Sequence, residues 1–395
     1  MSTRAVNFPK TFSWGTATSG YQIEGGDDNN DWWRFERDPD SGTAEPCGDA
    51  CDSWNRFEDD LDIIASLGLN AYRFSIEWSR IEPTQGAFSR EALDHYRAVI
   101  DGCRQRSILP VVTLHHFTLP LWVADAGGFE SPEIVGWMRD YARVVGDALG
   151  DVMGIACTIN EPNIVALMGY LMASFPPKVT SWDRFVQVNT TMRECHTAMR
   201  DALREGPGNY PIGLALSMQE YEAINGGDDL VNSLRLEMED HYLHSCQDDD
   251  FVGVQCYTKI VLDAHGLVDA EGEHTEMGYL FWPQCVEYTA RRAAAISGLP
   301  IIVTENGIGT DDDDQRIRYL EEALRGLKNL QDEGVDVRGY FQWSLLDNFE
   351  WTFGYRPKFG IVSVDRTTFQ RTLKPSAAWY AEATRNFPSS VAAAT

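Results

Sequence analysis

Short apolar, β-branched runs alternate along the chain with longer stretches in which apolar positions recur every three or four residues. The short runs predict strands at Phe12–Thr18, Asn70–Ile76, Ile108–Leu114, Val152–Ile159, Pro211–Ser217, Phe251–Tyr257, Leu299–Thr304 and Val337–Ser344. The longer stretches predict helices at Arg56–Leu67, Arg90–Arg106, Pro132–Leu149, Trp182–Arg204, Asp229–His244, Pro283–Ser297, Asp313–Glu333 and Pro375–Asn386. Eight strand–helix units in series predict an α/β fold of the (β/α)8 TIM-barrel type. No Pro-, Ser- or Gly-rich linker interrupts the series, so residues 1–395 are expected to form a single domain, with the small residues 389–395 as a frayed tail. Segments 18–55, 258–282 and 345–374 then become loops over the mouth of the barrel, where specificity is set.

Charge narrows the partners. The chain has 395 residues and a formal net charge of −27, with 27 arginines but six lysines. Such a surface repels phosphate backbones and anionic lipid, so neither nucleic acid nor a membrane is an expected partner. The same charge fits either an ordinary acidic protein from an Arg-rich proteome or adaptation to high salt. A stability curve that is flat from low to molar salt would argue against the second reading.

The N-terminus lacks the charged and apolar regions of a secretory signal, and no apolar run reaches membrane-span length. Eight cysteines are then expected as free thiols in a cytoplasmic protein. Cys47 and Cys51 share a Gly/Asp-rich segment that admits a disulfide or half a metal site. With no second Cys/His pair nearby, a plain loop is expected. His115 and His116 invite a metal reading too. Consecutive strand residues face opposite ways, so one of them at most reaches the lumen, and no metal or cofactor is expected.

Candidate chemistry sits at two strand ends. Thr158-Ile159-Asn160-Glu161-Pro162 and Ile301-Ile302-Val303-Thr304-Glu305-Asn306-Gly307 each close a β-type run with a glutamate beside an asparagine, 144 residues apart. At about 45–50 residues per strand–helix unit, that gap is three units of a barrel. Two carboxylates on one rim are the machinery of retaining glycoside hydrolysis.

Further motifs carry a resemblance. They are the run from Phe12 to Gly25 (FSWGTATSGYQIEG), Tyr72 to Pro83 (YRFSIEWSRIEP), His115 to Pro120 (HHFTLP), and Trp343 to Trp351 (WSLLDNFEW). Together with the two glutamate motifs, and in this order, they resemble family 1 of the glycoside hydrolases, the retaining β-glucosidase family, from Phe12 to Tyr380. The resemblance implies Glu161 as general acid/base and Glu305 as nucleophile, with Arg73 and Tyr257 supporting the nucleophile. It implies Gln22, His116, Asn160 and Glu350 as hydroxyl-binding groups. It makes Trp343 the plate under the sugar, with Trp351 and Phe359 as further walls. Trp137, outside these motifs, is expected in the core.

The resemblance further implies hydrolysis of small β-glycosides without a cofactor, most readily terminal β-D-glucosides. β-Galactosidase, β-fucosidase and transglycosylase activities share the same residues, whereas non-catalytic relatives usually lose one of the glutamates. Glu350 stands where 6-phospho-β-glycosidases typically carry Ser, which disfavours a phosphorylated sugar. Two departures stand out. Gln255-Cys256-Tyr257 replaces the usual Asn-Tyr-Tyr, and Ser53-Trp54-Asn55 replaces a commoner Tyr-His pattern. The loops are short for the family, so an open side opposite the sugar is expected.

Overall fold

A computed structural model describes residue 9 and residues 11–387 of the chain. Eight parallel strands close into a barrel: β1 (Ser13–Ala17), β2 (Ala71–Ser75), β3 (Leu109–His115), β4 (Ile155–Asn160), β5 (Ile212–Ser217), β6 (Phe251–Cys256), β7 (Ile301–Asn306) and β8 (Val337–Trp343), with β8 pairing back onto β1. The expected tail 389–395 lies outside the described residues.

The α-helices of eight residues or more among the described residues are α1 (Ser53–Ser66), α2 (Arg90–Gln105), α3 (Ile134–Leu149), α4 (Pro162–Tyr170), α5 (Trp182–Glu205), α6 (Asp228–Arg235), α7 (Cys285–Ser297), α8 (Asp313–Asp332) and α9 (Pro375–Asn386). Polar side chains start several of them. Ser89, Ser181 and Asp312 accept from backbone N–H groups in the first turns of α2, α5 and α8.

Alternation along the strands makes two cores. Phe74, Val112, Ile212, Val254 and Tyr340 face outward against the helices. Ala71, Val111, Ile155, Phe251, Ile302 and Phe341 face inward and fill the barrel, small residues beside large ones. Trp137 is half-buried in the outer core, edge-on to Trp122 at 5.1 Å, as expected.

Several expectations need correction. β4 begins at Ile155 rather than Val152, because the N–H groups of Val152 and Met153 close back onto Leu149 O. β7 runs two residues further than expected and includes Glu305. The expected helix 229–244 is broken by a π-turn at Leu236–Asp240. α4 was not anticipated. The three expected loops also carry structure. Segment 18–55 contains helices Gly20–Glu24 and Asp31–Glu36. Segment 258–282 contributes strands Lys259–Asp263 and Gly266–Val268, which join Glu220–Ala223 in a small sheet. Segment 345–374 holds the pair Val362–Val364 and Arg371–Leu373.

Cys47 and Cys51 lie in a loop as buried free thiols that donate to Tyr21 O and Asp347 O. Trp54 is not among the residues lining the barrel cavity; it is stacked 3.7 Å from His95 with Arg80 over its ring.

Candidate active site

Two irregularities build the site. On β4 the register slips between Cys157 and Asn160 against Gly213 and Ala215 of β5. On β7 it slips between Val303 and Glu305 against Val254 and Gln255 of β6. Each is a bulge that adds one residue and re-aims the side chains beyond it. Ile302 faces the lumen, so strict alternation would send Glu305 outward; the extra residue, Thr304, turns it inward instead. Asn306 then points out of the barrel. Its Nδ2 donates to Cys256 O at 2.6 Å, and its Oδ1 accepts from Tyr340 Oη at 2.8 Å, which anchors the strand end. The next position must be glycine, Gly307, because a Cβ there would lie 1.9 Å from Trp343 O.

Glu161 is aimed by its backbone. It adopts a left-handed conformation with φ 42°, its N–H donates to Ala215 O, and Pro162 opens α4 directly behind it. Pro162 therefore starts a helix rather than merely ending a strand. Strain of this kind in a non-glycine residue is held in place by its surroundings and collects at functional sites. Here Asn163 supplies the hold, with Nδ2 donating to Ser217 O and Met238 O.

Both carboxyls line one cavity of about 620 Å³ at the C-terminal ends of the strands, and they are 8% and 4% exposed. Their environments differ. Arg73 Nη1 donates to Glu305 Oε1 at 2.5 Å, and Tyr257 Oη donates to Oε2 at 2.5 Å. Burial pushes the Glu305 carboxyl up, while Arg73, Tyr257 and Gln255 pull it back down. Glu161 is raised well above the usual carboxylate range by burial and then by the charge of Glu305, offset by Ser217 and a weaker influence of Arg73. Glu305 is therefore the first of the two to ionise, and Glu161 keeps its proton longer.

Asn160 ties the set together. Its Oδ1 accepts from Arg73 Nη2 at 2.5 Å and from Gln255 Nε2 at 2.8 Å. Burial and the Arg73 charge hold the His116 ring neutral, so its Nε2 accepts from Asn160 Nδ2 at 3.2 Å. His115 turns the other way, edge-on to Phe129 at 5.6 Å, so one histidine of the pair reaches the lumen. Gln255, the departure from the family pattern, reaches Asn160 with its longer arm and helps to lower the Glu305 carboxyl.

Gln22 is fixed by Ser19 Oγ on its Oε1 and donates from Nε2 to Phe349 O at 2.7 Å, with Glu350 Oε2 at 3.4 Å. Burial and the Glu305 charge push Glu350 up to about 8. Trp343, whose peptide to Ser344 is cis, lies 6.1 Å from the His116 ring and nearly parallel to it. Trp351 stacks on Tyr21 at 6.0 Å, and Phe359 meets Tyr257 edge-on at 6.0 Å. Gln22, His116, Asn160, Glu161, Tyr257, Glu305, Trp343, Glu350, Trp351 and Phe359 thus line one cavity, with the buried Arg73 bonded to Glu305.

Two residues escaped the sequence reading. Ser217 ends β5 and lines the cavity with Glu161, whose carboxyl it helps to lower, and its position at a strand terminus was a usable signal. Tyr279, 37% exposed, lines the cavity from segment 258–282, and its long connection offered no signal.

Metal ligation has one geometric candidate among the described residues, the buried cluster His196, Cys246 and Asp249. Its groups are engaged otherwise. His196 Nδ1 meets Thr158 Oγ1 at 2.7 Å, and Asp249 pairs with His196 and with Arg200 at 3.1 Å. A guanidinium on the carboxylate opposes a cation.

The family model described as Glycosyl hydrolase family 1 matches residues 4–246 and 240–387. The chain belongs to this family. Beta-glucosidase A of Thermotoga maritima is 32% identical over 437 aligned residues, covering 96% of this chain and 98% of the relative. That alignment is longer than this chain, so the relative carries residues that this family member lacks. A bifunctional beta-D-glucosidase/beta-D-fucosidase of Bifidobacterium breve is 32% identical, with 94% and 97% covered. Among solved structures, beta-glycosidase BGL167 superposes with a TM-score of 0.90 at 37% identity, covering 98% of this chain and all of that one.

Proposed function

We propose that the protein is a retaining β-glucosidase that releases terminal non-reducing β-D-glucosyl units from small glycosides. The observation that carries this is the unequal pair of buried carboxyls in one cavity. Glu305, held by Arg73 and Tyr257, attacks the anomeric carbon as the glycosidic C–O bond breaks. Glu161 passes its proton to the departing oxygen. A glycosyl ester on Glu305 results. With Glu305 esterified, its charge is gone and the Glu161 carboxylate can take a proton from water. That water attacks the same carbon, frees Glu305 and returns the β-configured sugar. Each step uses carboxyl groups of the chain.

Gln22, His116, Asn160 and Glu350 bind the sugar hydroxyls over Trp343, between the walls Trp351 and Phe359. Asn160 holds the 2-hydroxyl, where bonds strengthen in the transition state. A phosphorylated sugar is disfavoured: Lys259 is the one lysine among the described residues lining the cavity, no arginine lines it, and Glu350 stands at the sugar end. Eight buried free cysteines fit a reducing compartment such as the cytoplasm. No helix among the described residues is long and apolar enough to cross a membrane.

The test is a panel of p-nitrophenyl β-glycosides on the wild type and Glu305→Gly. β-Glucoside turnover that disappears in the variant supports the reading; no turnover of any β-glycoside, or full rate in the variant, contradicts it. The Bifidobacterium breve relative favours one second reading, a shared β-fucosidase activity. The ratio of kcat/KM for p-nitrophenyl β-D-glucoside and β-D-fucoside decides between them.

Gln255 has a separate expectation. Gln255→Leu removes the donor to Asn160 and an amide that helps to lower Glu305, so kcat should fall about tenfold or more. The acidic limb of the kcat/KM profile should also move to higher pH, since that donor lowers Glu305. An unmoved limb would reduce Gln255 to packing.

A further inference from the structure

The cavity has two chemically different halves. The sugar end converges Gln22, His116, Asn160, Glu161, Glu305 and Glu350. Beyond Glu161 the wall changes. Ile164, Leu167 and Met168 recur at helical spacing on α4 and turn one half-buried apolar stripe to the cavity. Facing it are Val261 and Leu267 of the small sheet, with Phe353 on the third rim segment. Leu267, in the second strand of its hairpin and paired with Leu262, is 77% exposed. Apolar residues gathered at the open edge of a cavity mark a binding surface.

Polar groups in this half are largely engaged by the protein. Lys259 Nζ is bound to Glu222 at 2.6 Å and lies over Trp282. Thr258 Oγ1 donates to Leu280 O, and His274 Nδ1 lies 3.0 Å from Gly272 O. Gln219 Oε1 remains as a buried acceptor without a partner, and Tyr279, Thr352 and the exposed Asp269 also line the cavity. A second sugar ring brings several hydroxyls that each lose water on entry, and the apolar stripe offers them no partner.

Resting on the β-glucosidase reading, we infer that the leaving-group side takes an apolar alkyl or aryl alcohol rather than a second sugar. The natural substrates are then β-glucosides of hydrophobic alcohols or phenols, and cello-oligosaccharides are poor substrates. The π-turn at Leu236–Asp240 and the Asn163 tether position this wall: Asn163 holds the start of α4 to the Met238 carbonyl, and the Met238 side chain reaches the cavity.

The test is a ladder of n-alkyl β-D-glucosides from methyl to octyl, with cellobiose beside it, on the wild-type enzyme. Each added methylene should raise kcat/KM about two- to fourfold through at least hexyl, mostly through KM, as expected for burial of apolar surface. Octyl glucoside should exceed cellobiose at least tenfold. L167Q/M168Q should flatten the ladder, reducing the octyl-to-methyl ratio about tenfold. A flat or falling wild-type ladder, or cellobiose as the better substrate, overturns the inference whether or not the double variant folds. p-Nitrophenyl β-glucoside separates the two readings. If it is cleaved while the ladder is flat, the inference alone falls; if no β-glucoside is cleaved, the function falls and the inference with it.

Discussion

Glu305→Gly is expected to lose at least about 10⁴-fold in kcat/KM on every β-glucoside, because no other group can form the glycosyl ester. The side chain removed is also the partner of a fully buried arginine. Breaking a buried pair leaves an uncompensated charge that costs about 3–5 kcal/mol, so a lower melting temperature should accompany the loss. Folding must therefore be checked by circular dichroism beside the kinetics. A chemical rescue separates the two effects. Azide can enter the space left by the carboxylate and attack the anomeric carbon from the face that Glu305 occupied. The product should be the α-glucosyl azide, formed without restoring hydrolysis. A folded variant that keeps wild-type turnover would remove Glu305 from the mechanism.

Glu161→Gln should behave differently, and the difference comes from its role. General acid catalysis contributes about 10²–10⁴-fold, and it matters most when the departing oxygen is basic. Alkyl glucosides should therefore lose nearly all turnover. Glycosylation with 2,4-dinitrophenyl β-glucoside, whose phenolate leaves unaided, should be much less affected. The wild-type kcat/KM profile should be bell-shaped. Its acid limb falls as Glu305 gains a proton, and its alkaline limb falls as Glu161 loses one. Burial and the Glu305 charge raise Glu161, so this limb lies well above the ordinary carboxylate range. In Glu161→Gln the alkaline limb should vanish while the acid limb stays. A retained alkaline limb would assign that titration to another group, and Glu350, raised to about 8, would be the first alternative.

Much of this site was legible before the structure. The eight strands were visible as short apolar runs, because each is buried on both faces and reads as near-continuous Val, Ile and Leu. The paired glutamate motifs marked the rim, and the flanking residues of the resemblance line the same cavity or, like Arg73, bond to a residue that does. The bulges were not legible. Alternation from Ile302 predicts an outward Glu305, and a bulge depends on how two neighbouring strands register against each other, which neither strand encodes alone.

The α4 helix was hidden for another reason. Pro162 to Tyr170 is so uniformly apolar that no helical period stands out. The break in the helix after Arg235 depends on distant partners, Asn163 on Met238 O and Gln219 N on Glu239. The hairpin carrying Leu267 did leave a trace, since Asp263-Ala264-His265-Gly266 is turn chemistry between two apolar runs. That trace gave no hint of which cavity the strands would line.

A covalent glycosyl–enzyme at Glu305 is the central claim, and one measurement reaches it directly. The enzyme is treated with 2-deoxy-2-fluoro-β-D-glucosyl fluoride: the 2-fluorine slows both formation and release of the intermediate, while the good fluoride leaving group keeps formation the faster step. Mass spectrometry of the intact protein and of its peptides then locates the label. The expected result is one fluoroglucosyl group per chain, on Glu305, with activity lost in step with labelling. An unlabelled but active enzyme, or a label on any other residue, would contradict it.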